Sequence, residues 1–322
     1  MSYVVCVGES LVDFIAQAGI ANLGASEFFS RAAGGAVSNV AVGIARLGGT
    51  AHFAGTVSRD PFGKYLVSTL AHENVNLDDV RVVDATTTFA FVARGEHGER
   101  DFMFVRHPGA DSLLELGDVA EGTITRAKAL HFGGVLLSSE PARSTCMALA
   151  QTARSNGVFV TFDPNARPSL FQTSEEMTRL LLAGCACANL VKLSDEDLTS
   201  MQLPPDDPRA LLSDATQAVI MTRAERGCAW FLRDGSHGEV RGPRIEPVDT
   251  TGAGDACMAA ILWRLLWTHD LALNAASTQD AVRYGCAAGA LACLREGAIP
   301  ALPTAAEVEA MVAQGAANEP QK

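Results

Sequence analysis

The stretch Val248-Asp249-Thr250-Thr251-Gly252-Ala253-Gly254-Asp255 carries the residue types that both halves of a phosphoryl transfer require. Two glycines one residue apart allow a tight turn and a backbone that approaches a ligand without side-chain obstruction. The run Ala256-Cys257-Met258-Ala259-Ala260-Ile261-Leu262-Trp263 that follows has the composition of a buried helix, so the turn feeds a helix N-terminus. Unpaired amides and the positive end of the helix dipole meet there and favour a phosphate or a developing phosphoryl charge. A carboxylate in that place is held ionised. Asp255 can then take the proton of an attacking hydroxyl while the amides stabilise the transferred group. An isolated Gly-x-Gly-Asp is more simply a turn with an Asp cap, and the surrounding sequence reverses that weighting.

Other segments supply polar groups of matching type. Gly8-Glu9-Ser10-Leu11-Val12-Asp13 ends an apolar strand, where Asp13 projects over a sheet edge as a ligand group or serves as a plain turn residue. Gly34-Gly35 permits close approach to a ligand, and Asn39 in the following helix can both donate and accept, which suits a polyol. Asp163-Pro164-Asn165-Ala166-Arg167 follows a strand directly, and Pro164 favours an extended or turn conformation at Asp163. It reads as polar groups facing a crevice or as an Asx-turn capped by Arg. Ser194 with Asp195, Glu196 and Asp197 has the pattern of an N-cap and an acidic first turn. The small residues Ala287, Ala288, Gly289 and Ala290 let a flat base lie against a helix or let two helices pack closely.

The elements that must position these groups follow from the apolar pattern. Short β-branched segments alternate with helical ones, the βαβ signature of a mostly parallel sheet covered on both faces. Strands are expected at Val4 to Val7, His52 to Val57, Ala129 to Phe132, Val158 to Phe162, Leu190 to Leu193 and Val219 to Thr222. Helices are expected at Ser38 to Leu47, Phe62 to Glu73, Pro141 to Asn156 and Asp255 to Trp267. Right-handed crossovers bring the C-terminal strand ends to one edge, where a ligand crevice belongs.

Two regions break the alternation. Asp13 to Arg31 lacks a helical pattern, and Thr86 to Arg106 alternates through Thr87, Phe89 and Phe91, then Phe102 and Phe104, around a polar turn at Gly95 to Gly98. A small antiparallel β-sheet accounts for both, as a lid or as a surface hairpin. The expectation is one α/β domain over residues 1–318, a lid from segments of about 13–33 and 86–108, and a frayed tail at 319–322. Phe102 and Phe104 at spacing two present an apolar face inward, and the exposed edge either covers a ligand or pairs with a second subunit. A homodimer through the lids is the expected assembly.

Composition narrows the partners. With 322 residues, 48% of them hydrophobic, the chain can bury a sizeable core. A net charge of −12 without any basic run argues against nucleic acid and against an anionic membrane surface. The N-terminus lacks a basic n-region, and the apolar runs are short or broken by Arg264 and Arg295, so neither a signal peptide nor a membrane span is expected. Eight scattered cysteines in apolar surroundings read as reduced thiols of a cytoplasmic protein, and Cys185-Ala-Cys187 has no companion to complete a zinc site. Gly63-Lys64 is followed by Tyr65 and has Ser58 where a P-loop needs glycine, and Gly252-x-Gly254 lacks the third glycine of a dinucleotide fingerprint.

Asp249-Thr-Thr-Gly-Ala-Gly-Asp255 resembles the C-terminal signature of the ribokinase-like sugar kinases, and Gly34-Gly35-Ala36-Val37-Ser38-Asn39-Val40-Ala41 resembles their N-terminal signature. The likeness runs from about Val4 to about Pro303. It implies a three-layer α/β sandwich with a β-sheet lid and an ATP-dependent kinase. Asp255 is then the catalytic base, and the amides of Gly252, Ala253, Gly254 and Asp255 form the anion hole. Asp13, Gly34, Gly35, Asn39, Phe104, Arg106 and Arg167 fall to the sugar. Asn165, Lys192, Thr222, Ala224, Gly227, Gly252, Gly254 and Gly289 fall to the nucleotide. Many relatives carry Asn-x-x-Glu where Ser194 and Asp197 stand, so Asp197 is the candidate for ordering the water shell of Mg²⁺, itself expected mainly on the ATP phosphates. Ala224 replaces a usual glycine. Relatives also bind a monovalent cation such as K⁺ near Asp249 and Thr251. Within the family, Gly34 to Ala36, Arg100 to Arg106 and Gly297 to Pro303 are most similar to members that phosphorylate ketohexoses, which implies D-fructose converted to fructose 6-phosphate. A 2-keto-3-deoxygluconate kinase is the alternative: Phe89, Phe104 and Val105 offer it no phenol, whereas Arg106 and Arg167 suit its carboxylate. A sugar- or nucleotide-binding regulator is the reading outside catalysis, and the intact Asp255 speaks against it.

Overall fold

The computed structural model describes residues 2–17, 19–95, 100–106, 108–205 and 207–317. Its strands are β1 (Val4–Val7), β2 (Leu11–Ala16), β3 (Phe29–Gly34), β4 (Ala51–Ser58), β5 (Val80–Val83), β6 (Phe89–Arg94), β7 (Arg100–Val105), β8 (Ala129–Gly133), β9 (Phe159–Asp163), β10 (Leu190–Ser194), β11 (Ala218–Thr222), β12 (Cys228–Leu232) and β13 (His237–Val240). The helices are α1 (Ala36–Arg46), α2 (Pro61–His72), α3 (Glu121–Thr125), α4 (Ala142–Ser155), α5 (Ser174–Cys187), α6 (Asp195–Ser200), α7 (Ala253–His269), α8 (Ala275–Ala292) and α9 (Ala305–Ala317).

Nine strands form one sheet in the order β13-β12-β11-β10-β9-β8-β1-β4-β5. It is parallel from β11 to β5, and the β12–β13 hairpin extends it antiparallel at one edge. The two-residue period of a strand separates its side chains into two cores. Val4 and Cys6 pack with α1, α7 and α8 on one face, while Val5 and Val7 pack with α4 and α5 on the other. Strands buried on both faces are why these segments are apolar without alternation.

The second sheet has the order β3-β2-β6-β7. Its β2–β3 and β6–β7 pairs are antiparallel, as expected, but β2 and β6 join in parallel. The cause is topological: β2 follows β1, β6 follows β5, and β1 and β5 both run parallel to β4, so both hairpins leave the large sheet in one direction. Residues 96–98 of the expected Gly95 to Gly98 turn, and the 319–322 tail, lie outside the described residues. Helix α7 starts at Ala253, two residues before the expected Asp255.

Candidate active site

The C-terminal strand ends and the inner face of the small sheet enclose a cavity of about 1150 Å³. Register explains what the small sheet contributes. Ala32 and Ala90 flank Asp13 on neighbouring strands, and Ala90 in turn faces Phe104. Paired residues share a face, so Asp13, Ala90 and Phe104 line the cavity together, with Val92 and Phe102 one step further along. The two alanines leave room for the carboxylate between them. Phe89 and Val105 form the next pair and belong to the opposite face, where Phe89 meets Phe14 and Phe62. Phe102 is therefore a cavity residue that stands beside Phe104, at 4.7 Å between ring centroids.

The paired glycines hold this end in place for two different reasons. A side chain on Gly34 would collide with the Asp13 carboxylate at 2.0 Å. Gly35 has φ of 108°, and a Cβ there would sit 2.5 Å from the Glu9 carbonyl. Gly35 caps α1, and one turn later Asn39 donates from Nδ2 to Asp255 Oδ2 at 2.8 Å. Asn39 therefore positions the carboxylate as well as facing the cavity, and its buried Oδ1 has no hydrogen-bond partner among the described residues.

Asp255 is the third residue of α7, whose cap Gly252 is left-handed at φ 77°. The first intrahelical bond runs from the Ala256 amide to the Gly252 carbonyl at 2.8 Å, so the Gly254 and Asp255 amides belong to the first turn, which lacks partners within the helix. The Ala253 amide reaches back to the Thr250 carbonyl at 3.3 Å. Burial pushes the Asp255 carboxyl up to about 6, against the lowering effects of the Asn39 hydrogen bond and the Lys192 charge. It is ionised at neutral pH, though burial makes it a stronger base than the helix end alone would. The preceding loop is tied down by Asp249, which accepts from the Thr251 amide and hydroxyl at 2.9 and 2.7 Å and from the Gly297 amide at 2.9 Å.

From β9, Asp163 accepts from Lys192 of β10 at 2.7 Å with both side chains buried, and burial of the ammonium is more than offset by Asp163, so Lys192 stays charged. The Asx-turn is present too: the Asn165 amide donates to Asp163 Oδ1 at 3.2 Å. Arg167 donates to the Ala166 carbonyl and places its guanidinium 6.0 Å from the Phe102 ring centre, lining the cavity. Asp197 makes the capping box with Ser194, and its Oδ1 accepts the Ala166 amide at 2.7 Å, so both its oxygens are engaged by protein donors.

Thr222, Ala224 and Gly227 line the far end together with Gly289. Ala224 takes φ 47°, the left-handed region that glycine occupies at lower cost, so the backbone path persists at a strain of roughly 1–2 kcal/mol. Gly285 and Gly289 both line the cavity, and Gly285 also serves helix packing, since a Cβ there would strike Ile261 at 2.6 Å. Arg106 is not among the cavity-lining residues: it pairs with buried Asp111 at 2.8 Å and donates to Ser138 Oγ at 2.6 Å.

Sequence reasoning missed Glu9. It is 1% exposed, lines the cavity, and has an Oε2 without a partner among the described residues; burial pushes it up to about 7. Its signal was a carboxylate directly after the first strand, whereas Asp13 lies inside β2 of the small sheet rather than at the end of that strand. No cluster of three or more His, Cys, Asp or Glu side chains among the described residues could hold a metal ion. No helix among the described residues is long and apolar enough to cross a membrane.

A buried carboxylate beside a helix N-terminus, in a cleft between a small sheet and a parallel-sheet edge, suits a phosphotransferase that acts on an alcohol. Comparison with known proteins agrees: residues 1–305 match the pfkB family carbohydrate kinase model, and the chain belongs to that family. It is 40% identical over 308 residues to the probable chloroplastic fructokinase-6 of Arabidopsis thaliana, covering 94% of this chain and 80% of that protein. The fructokinase of Xylella fastidiosa, solved with bound ATP, superposes with a TM-score of 0.87 at 29% identity, covering 98% and 99% of the two chains. A fructokinase double mutant from Vibrio cholerae O395, solved with fructose, ADP and potassium ion, gives 0.83 at 30% identity, covering 97% and 98%.

Proposed function

We propose that the chain transfers the γ-phosphoryl group of ATP to a primary hydroxyl of D-fructose, giving fructose 6-phosphate. The observation that carries this reading is Asp255, buried, poised by Asn39 at 2.8 Å and set in the first turn of α7 at the floor of the cavity. Asp13, Asn39, Gly35 and the Phe102–Phe104 pair bind and orient the sugar. Asp255 takes the hydroxyl proton, the α7 amides receive the transferred group, and Thr222, Ala224, Gly227, Gly289 and Asn165 border the nucleotide. Mg²⁺ supplies charge neutralisation on the nucleotide phosphates, with the acidic turn at Asp195 and Glu196 lining that end of the cavity. A monovalent cation is accommodated at the loop Asp249 braces.

A neutral acceptor is favoured over a sugar acid because Arg106 is committed to Asp111, and the carboxylates of Asp13, Glu9 and Asp255 line the cavity alongside Arg167. A coupled ADP-release assay across fructose, ribose, 2-keto-3-deoxygluconate, adenosine and fructose 1-phosphate tests this: turnover of fructose with Mg-ATP is expected, and turnover confined to the sugar acid refutes it. The small sheet acts as a lid that excludes water from the phosphoryl group. Met103 and Val105 expose 48% and 43% of their surface on edge strand β7, which supports a homodimer through the lids. A monomer by light scattering at micromolar concentration refutes the dimer. Eight free cysteines support a cytoplasmic location.

A further inference from the structure

We propose that Lys192 is a catalytic residue whose ammonium, clamped by Asp163 against the first turn of α7, neutralises the charge that gathers on the phosphoryl group in transit. The proposal rests on the kinase reading above and adds to nucleotide binding a role specific to the transition state.

Three observations converge. Lys192 is 4% exposed, and its Nζ gives one of three N–H bonds to Asp163 Oδ2 at 2.7 Å, which leaves the ammonium with donors for a second acceptor. The same Nζ lies 2.9 Å from the point where a Cβ on Gly254 would stand, so it abuts the anion-binding turn itself. The residue also lines the cavity.

Charge makes such a group necessary. Asp13, Asp163 and Asp255 all border the cavity where an anionic group must pass. The cations lining it, among the described residues, are Arg167, Lys192 and Arg244. Arg167 is half-buried and Arg244 is exposed, so solvent screens them more than Lys192. In the transfer, the acceptor oxygen bonds to the γ-phosphorus as the bridging bond to the β-phosphate oxygen breaks. ADP leaves with that electron pair, and Asp255 holds the hydroxyl proton. Charge on the moving group is spread over its outer oxygens, and a fixed ammonium beside the Gly254 amide meets it without reorganising. Asp163 is the positioning residue: it holds Nζ in place and keeps it protonated.

The test compares Lys192→Met, Lys192→Arg and the double variant Asp163→Asn/Lys192→Met with the wild-type chain. The readouts are kcat, both KM values, the melting temperature, and the Kd of ADP measured alone and with aluminium fluoride plus fructose. Lys192→Met is expected to lower kcat by roughly 10²–10³-fold, the usual effect of removing one such donor. It should weaken the aluminium fluoride complex by a comparable factor while ADP alone changes only a few-fold. Lys192→Arg should keep part of the rate. The double variant removes the lone buried carboxylate, so it should regain melting temperature without regaining kcat. An active wild type with kcat of the variants within a few-fold of it overturns this proposal alone, as does equal weakening of ADP and its aluminium fluoride complex. A wild type inactive on every acceptor overturns the kinase reading and this proposal with it.

Discussion

Replacing Asp255 by Asn should slow the enzyme and stabilise the protein at once. Asn keeps the size of the side chain, and its amide oxygen can still accept from Asn39 Nδ2, now 2.8 Å from the carboxylate. It cannot accept a proton at neutral pH, so kcat should fall by ~10²–10⁴-fold, about 3–5 kcal/mol of barrier. The stability term has the opposite sign. Burial raises this carboxyl from an ordinary 3.8 to about 6 in the folded chain. A group raised in this way contributes stability that is fully present below 3.8 and is lost as pH rises through about 6, so at pH 7.5 the folded state carries an ionised carboxylate at a cost of ~3 kcal/mol. Asn removes that cost. With an unfolding entropy of about 2.1 cal/mol/K per residue, ~3 kcal/mol raises the melting temperature of a 322-residue chain by about 4 °C at most. Calorimetry at pH 7.5 and 5.5, beside saturated steady-state kinetics, reads both effects, and the stability gap should narrow at the lower pH. A variant that loses turnover but melts at or below wild type at pH 7.5 refutes the argument that burial strains this carboxylate. One that keeps kcat within a few-fold refutes its role as base.

The wild-type kcat should decline as pH drops through about 6, because the base must be unprotonated, and a profile flat down to pH 5 contradicts the assignment. Asp13→Asn should raise the sugar KM with little change in the ATP KM, since its contact is shared by ground and transition states; steady-state kinetics in both substrates separates the two. Arg106→Met leaves Asp111 buried without its cation, so denaturant titration should show a loss of ~3–5 kcal/mol, with sugar KM in the surviving folded fraction nearly unchanged. Ala224→Gly should leave the nucleotide KM within a few-fold, because the backbone already occupies the glycine region at φ 47°.

The parallel strands were legible because burial on both faces forces unbroken apolar runs, which few other segments can imitate. Three strands escaped. The β12–β13 hairpin carries Asp234-Gly235 at its turn, a strong local signal, and Gly235 indeed has φ 90°. The β5 segment Val80-Arg81-Val82-Val83 stands at the sheet edge beside β4 with Arg81 and Val82 exposed, so edge position had diluted its pattern. The parallel join of β2 to β6 depends on where two hairpins leave a sheet, and no local sequence feature encodes that. Among site residues, the difference between Arg106 and Arg167 could not be read locally. Each follows a strand with polar neighbours, and only the fold brings Asp111 beneath one and opens the cavity beside the other.

A chain with a net charge of −12 that handles a polyanion must solve an electrostatic problem locally. Long-range attraction is absent, so affinity has to come from groups whose field is unscreened, which means buried ones. The structure gathers such groups at one point. The α7 amides contribute partial charge that cannot be titrated away, and the Lys192–Asp163 pair contributes a full charge whose counterion is fixed. Asp255 sits within the influence of both and is drawn down by Lys192 while burial drives it up. The opposing terms leave it near 6, ionised in neutral solution and only just so. A carboxylate held far lower would be too weak a base for a sugar hydroxyl, and one held far higher would carry its proton before the substrate arrived. On this account the glycines at 252 and 254 matter as much for what they admit as for how they turn. One permits the left-handed entry to the helix, and the other leaves the space against which the Lys192 ammonium rests.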